Sequence, residues 1–261
     1  FDGAPPKEKQ DVLDNRKEHK AKIQMKIEDL EEQIRNLSID KVDEKRELET
    51  LIKQTQKKCI NITREDVDNL KRIFDIMGVK YIQADCEADL ICCSLFKNEK
   101  VDACLSNDMD FLPSGCGVLL RNYNNSNKIL EYNLKYILQI LNFTHEQFVD
   151  FCILCGCDYT CKIPKLGSET AFKYIKAHKN IETILDIYCG ENKKFRRPSN
   201  FEYQKARDLI MSNNNLCTVV IENEVFKRPE VINMDEDIKF MEDLTTFSKK
   251  QLVNRLNKIM V

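Results

Sequence analysis

An α/β fold, with a largely parallel sheet flanked by helices, is the class this sequence predicts. Short apolar runs at Val79–Ile82, Val101–Leu105 and Gly117–Arg121 alternate with helical runs at Arg64–Met77, Glu87–Phe96 and beyond Thr144. Carboxylates gather directly after such runs: Asp85, Glu87 and Asp89, then Asp108 and Asp110, then Asp158. Ligands of open α/β sheets bind beyond the carboxyl ends of strands. The 261 residues, 42% hydrophobic and 32% charged, suffice for one large domain or two small ones.

The elements follow in order. Phe1-Asp2-Gly3 reads like the end of a strand, and a chain opening this way without Met is expected to lack its beginning. From about Lys9 to Lys58, Gly and Pro are almost absent. Ile23, Ile27, Leu30, Ile34 and Leu37 step by four and three, and the stripe resumes at Leu48, Leu51 and Ile52, predicting two antiparallel helices. A plain helical hairpin accounts for that pattern. Thr63 caps the helix Arg64–Met77, and Gly78 ends it. Thr144 and Gln147 form a capping box before an apolar helix at Phe148–Cys155. Beyond Asp158 the chain is helical and basic, divided by a loop with Gly190 and Pro198. The tail after Phe226 carries little pattern.

Net charge is −2, so a nucleic-acid partner has to be argued from local patches. No apolar stretch approaches the ~18 residues of a membrane span, and the N-terminus has no secretory signal pattern. Twelve cysteines, several in apolar patterns, fit a reducing compartment. Cys152, Cys155, Cys157 and Cys161 lack a second paired cluster or a nearby His, so small buried hydrophobes outweigh a metal site there.

Converging carboxylates cannot all stay ionised without a cation between them. Hard divalent cations take oxygen ligands, and Mg²⁺ keeps waters and substrate phosphates besides. Asp108 and Asp110, if extended, point to one side of a strand. Glu87 and Asp89 open a helix, where negative charge is favoured in any case, and Asp158 could serve as a cap. Three clusters at similar structural positions therefore carry the metal reading. Downstream, Lys162, Lys165, Lys173, Lys176 and Lys179 face only Glu169, and Lys193, Lys194, Arg196, Arg197, Lys205 and Arg207 face only Glu202. Such runs are usually solvated faces. The first surrounds a turn, Ile163 to Ser168, whose amides suit a DNA phosphate.

Together these residues resemble the flap endonuclease family, the XPG-type structure-specific 5′ nucleases. FDGAPP is similar to the family's FDG-PP opening, with Asp2 in a metal-binding place. ADCEADLICCSL resembles its acidic helix start, with Glu87 and Asp89 as ligands; Asp89 is shorter than the usual glutamate. SNDMDFL resembles E-D-x-D, giving Asp108 and Asp110, and CGCDY resembles G-x-D-Y, giving Asp158.

The resemblance implies a twisted, mainly parallel PIN-like sheet within a single 5′-nuclease domain over 1–261, with an N-terminal strand and its aspartate missing. A helical arch would occupy about 9–62, the metal-site core about 63–158, a helix–two-turn–helix and basic region about 155–212, and a C-terminal tail 213–261. It implies two Mg²⁺ or Mn²⁺ ions, with Lys9 and Arg16 acting on the scissile phosphate. DNA would be held by Lys162, Lys165, Gly167, Ser168, Lys173 and Lys176, with K⁺ bound by carbonyls of the helix–two-turn–helix. The family's Gly-x-Gly is here Lys165-Leu166-Gly167, followed by Glu169. The implied function is Mg²⁺-dependent cleavage of flap or nick junctions in replication and repair. The implied partner is branched or nicked DNA with a 5′ flap. A sliding clamp fits the family, but no clear clamp-binding motif is present. The implied place is the nucleus, or a cytoplasmic replication site for a large DNA virus. Exonuclease-1-like and junction-resolving nucleases are alternatives within the family, and a non-catalytic DNA-structure binder is one outside its chemistry.

Overall fold

The structure, a computed structural model, describes residues 1–38, 41–59, 62–123, 128–190, 193–211 and 234–259. A 3-10 turn at Lys7–Lys9 precedes α1 (Gln10–Asn36), α2 (Val42–Gln56), α3 (Arg64–Met77) and α4 (Ala88–Lys97). Then come β1 (Cys104–Leu105), β2 (Val118–Arg121), β3 (Leu130–Asn133), α5 (Leu134–Leu141) and α6 (His145–Cys155). The remainder is α7 (Ser168–His178), α8 (Ile181–Tyr188), α9 (Tyr203–Met211), α10 (Met234–Leu244) and α11 (Lys249–Ile259). Two compact units result: Phe1–Asn15 with Gln83–Val219, and Arg16–Ile82 with Val220–Val261.

The first unit is α/β. Its described sheet is small and mixed rather than mainly parallel. Strand β1 pairs parallel to β2 (Cys104 with Leu119), and β2 pairs antiparallel to β3 (Leu119 with Tyr132). Parallel neighbours need a crossover of about a dozen residues, and the segment from Ser106 to Gly117 supplies it as turns. Cys93, Cys104, Phe111, Leu112, Cys116, Leu119, Leu134 and Phe148 form the core beside the sheet. Helices α6 to α9 enclose a second core that includes Val149, Ile153, Ile175, Ile184, Phe201 and Ala206.

One charged group lies inside that unit. Asp150, 3% exposed, accepts from Arg207 at 2.7 and 2.9 Å and from the Ile181 amide at 3.1 Å. Burial raises the Asp150 pKa despite Arg207, while Arg207 stays firmly protonated by its bonds to Glu182 and Asp150. The two short bonds are those of a bidentate ion pair.

In the second unit, α1 and α2 form the expected hairpin through Ile27, Leu30 and Ile52, flanked by Ile23, Ile34 and Leu48. Leu51, expected in the stripe, is 39% exposed. Ile76 of α3 packs with Ile238 and Met241 of α10 and Leu252 and Leu256 of α11. These two helices lie within the expected C-terminal tail; its residues 213–233 fall outside the described ones. Thr63 forms a capping box with Asp66, and Thr144 forms one with Gln147.

The strand expected at Val79–Ile82 does not form. Gly78, at φ 65°, and Val79 return their amides to Asp75 and Phe74 and so close α3. That consumes the amide a ladder would need. The strand expected at Val101–Leu105 contracts to Cys104–Leu105.

Candidate active site

The site begins at the chain's first residues. Ala84 donates to the Phe1 carbonyl at 3.0 Å, and Gly3 donates to the Cys86 carbonyl at 2.7 Å. A Cβ on Gly3 would lie 2.3 Å from the Ala84 oxygen, so only glycine permits this approach. The pairing sets Asp2 over the start of α4, where its Oδ1 accepts from the Ala88 amide at 2.9 Å. Asp2 thus caps α4 from a distance. Glu87, at the N-cap position, makes no side-chain cap bond.

The Glu87 carboxylate is instead taken by two other groups. Lys9 Nζ donates to Oε1, and the Tyr159 hydroxyl donates to Oε2 at 2.7 Å. Lys9 Nζ also lies 3.2 Å from Asp158 Oδ2. Burial opposes the ammonium charge, but Glu87 and Asp158 outweigh it and hold Lys9 above its usual pKa. Asp158 and Tyr159 follow α6 after Gly156, whose φ of 115° turns the chain. Burial, then Glu87, raises the Tyr159 phenol.

Asp108 and Asp110 are not extended as expected. They occupy the turn after β1, where Asp108 Oδ1 accepts from the Asp110 amide at 2.9 Å. Asp89 keeps contact with solvent, yet desolvation and the nearby charges of Asp108, Asp2 and Glu87 push it up to about 6. Desolvation, then Asp108 and Asp158, raises Asp110 as well. Glu87, Asp158, Asp89 and Asp110 therefore share the field of Lys9, and Asp2 and Asp108 act on Asp89.

No group of three or more His, Cys, Asp or Glu side chains among the described residues is placed to hold a metal ion. The donor set is nonetheless all-oxygen and crowded, the chemistry that suits a hard divalent cation. The Lys9 ammonium supplies the positive charge between Glu87 and Asp158. Such an ion fits these residues by charge and ligand type.

Arg16 is exposed on α1 and opens the second unit. Lys162, Lys165, Gly167, Ser168, Lys173 and Lys176 are all exposed, on α7 and the turn before it. Lys165 has φ 66°, in the left-handed region that favours glycine. A non-glycine residue in this region costs about 1 kcal/mol. The second basic stretch is largely engaged within the protein. Lys193 Nζ donates to the Asp186 carbonyl, Lys194 Nζ to the Tyr174 hydroxyl at 3.1 Å, and Arg197 to the Phe201 carbonyl at 3.3 Å. Arg207 belongs to the internal Asp150 pair.

Sequence reasoning missed the role of Tyr159. Its position directly after Asp158 was the available signal. The partner Glu87 lies 72 residues away and could not be read locally.

Residues 78–158 match the family model described as the XPG I-region. Over its whole length the chain is 34% identical to flap endonuclease 1 of Salmo salar, covering 64% of that protein. It is equally 34% identical to flap endonuclease 1 of Tetrahymena thermophila, covering 65% of it. The chain thus spans a little under two thirds of the length of these curated relatives. The catalytic core of Rad2 in complex with a DNA substrate superposes with a TM-score of 0.67. That match covers 99% of this chain and 77% of the other at 18% identity, a likeness of fold alone.

Proposed function

Because the chain belongs to the flap endonuclease family of XPG-type nucleases, we propose that it hydrolyses DNA phosphodiesters at 5′ flap or nick junctions. The observation that carries this reading is the Lys9 ammonium bonded to both Glu87 and Asp158, with Asp89 and Asp110 in its field. A cation at the centre of an acid cluster marks where a scissile phosphate and its counter-ions fit.

Asp2, Glu87, Asp89, Asp108, Asp110 and Asp158 would hold two Mg²⁺ or Mn²⁺ ions. Bound metal supplies an activated water and stabilises the leaving oxygen. Lys9 leaves the acids for the scissile phosphate and neutralises charge there, and Arg16 is proposed for the same phosphate. Tyr159 orients Glu87. Lys162, Lys165, Lys173 and Lys176, with the amides of Gly167 and Ser168, grip the duplex backbone without reading sequence. The carbonyls of that turn are proposed to hold K⁺, as the family resemblance implies. A role in DNA replication and repair in the nucleus follows from this reading.

The test is cleavage of a 5′-labelled double-flap DNA, beside a nicked duplex and a four-way junction, with Mg²⁺, with Mn²⁺ and with chelator. Metal-dependent cutting at the flap junction, abolished by Asp158→Asn or Asp108→Asn with binding intact, is the expected result. A non-catalytic DNA-structure binder is the second reading. It keeps the fold and the basic DNA-facing turn without the chemistry. Binding of branched DNA with no cutting under any metal would establish that reading instead.

A further inference from the structure

The turn that carries Asp108 and Asp110 is fastened to the sheet from its other side. Arg121, the last residue of β2, donates from Nη2 to the Asn107 carbonyl at 2.7 Å and from Nη1 to Met109 Sδ at 3.0 Å. The Asn107 side chain completes the clasp, accepting from the Asn122 amide at 3.0 Å. Residues 107 and 109 flank Asp108, and residue 109 separates it from Asp110. The guanidinium also faces the Tyr132 ring of β3, 5.7 Å from its centroid.

The choice of acceptors matters. A cation that held this turn by pairing with Asp108 or Asp110 would neutralise the groups a metal needs. Arg121 uses a carbonyl and a thioether, both neutral, and its buried Nε has no partner among the described residues. It therefore fixes the backbone without pairing with either carboxylate. The planar fork makes two contacts at once, which the single ammonium of lysine cannot reproduce.

We propose that Arg121 is the positioning residue of the acidic turn, holding Asn107 and Met109 so that Asp108 and Asp110 present their carboxylates to a divalent cation. Its consequence for catalysis rests on the nuclease reading; the clamp itself does not. Supporting groups of this kind shift metal affinity by about 10- to 100-fold when removed.

The experiment compares the full chain with Arg121→Gln and Arg121→Lys. Mn²⁺ binding is read by electron paramagnetic resonance, and amide hydrogen exchange is read along the chain. Weaker Mn²⁺ binding, by about 10- to 100-fold in both variants, with faster exchange confined to residues 107–112, is the expected result. Unchanged exchange at the turn, or wild-type Mn²⁺ binding restored by Arg121→Lys, overturns the proposal. If the wild type itself binds no Mn²⁺, the metal reading of the site fails, and exchange alone decides the clamp in the same two directions. Should Arg121→Gln fail to fold, Asn107→Ala removes only the bond to Asn122 and is judged by the same readouts.

Discussion

Tyr159 and Glu87 meet through a 2.7 Å hydrogen bond from the phenol to Oε2, while Oε1 receives the Lys9 ammonium. Both oxygens of one carboxylate are thereby oriented, one by a neutral donor and one by a charge. Tyr159→Phe deletes the neutral donor and preserves the ring. The half-saturating Mg²⁺ concentration for cleavage should rise about 10-fold or more, with DNA affinity little changed. Superimposable metal titrations would show that Tyr159 does not orient the acid.

Lys9→Met should act in two ways. Cleavage at saturating Mg²⁺ should fall by about 100- to 1000-fold, as for other groups facing transition-state charge. The metal-free protein should also lose stability, because Glu87 and Asp158 lose their counter-charge. The Lys9–Glu87 pair is largely buried, with side chains 16% and 13% exposed. The loss should lie between the about 1 kcal/mol of surface pairs and the about 3 kcal/mol of buried ones. Urea unfolding in chelator measures it, and added Mn²⁺ should restore part of the loss. Equal metal-free stability in the two proteins would mean that the ammonium does not offset the acids.

Arg207→Met should be the most damaging single change in the α6–α9 core. It leaves Asp150, 3% exposed, without its bidentate partner. Breaking a buried pair from one side costs about 3–5 kcal/mol. The double variant Asp150→Leu with Arg207→Met should recover much of that loss, since no buried charge remains. Additive losses in denaturant unfolding would contradict this coupling.

Much of this fold was legible where the signal is local. The caps at Thr63 and Thr144 and the stripe through Ile23, Ile27 and Leu30 depend on neighbours within one or two turns. Val79–Ile82 misled because its apolar pattern fits a strand, while the amide of Val79 is taken by the end of α3. The acids were legible as clusters and Lys9 was named through the family resemblance, but its bond to Glu87, 78 residues away, could not be read locally. Arg207 was read as part of a basic face. The contrary signal was Asp150, a carboxylate on an otherwise apolar helix turn, which requires a buried partner.

The exposed lysines of α7 should govern the salt dependence of DNA binding. Lys173 and Lys176 are both exposed, and Lys176 lies over the Phe172 ring at 5.5 Å. If each neutralises one phosphate, Lys173→Gln with Lys176→Gln should lower the slope of log affinity against log salt by about 2. Weakening should be similar across DNA sequences, because phosphate contacts carry no sequence information. An unchanged slope would place this helix outside the interface.

His145 should make stability depend on pH. Its Nε2 lies 2.9 Å from the Pro113 carbonyl and therefore carries the hydrogen of the neutral ring. Burial, assisted by the Lys97 charge, holds the ring below the usual histidine pKa of 6.5 despite the carbonyl bond. The folded state then takes up a proton less readily than the unfolded chain. Below pH 6.5 the unfolded state binds more protons, so stability falls as pH drops from 6.5 towards the folded pKa, and is complete above 6.5. Asp89 and Asp110 also titrate at acid pH, with raised values that act in the opposite sense, so the contrast must be taken against a variant. His145→Gln should lose less stability than the wild type between pH 7.5 and 5.5 in denaturant unfolding, and parallel profiles would show that the ring is not the responsible group.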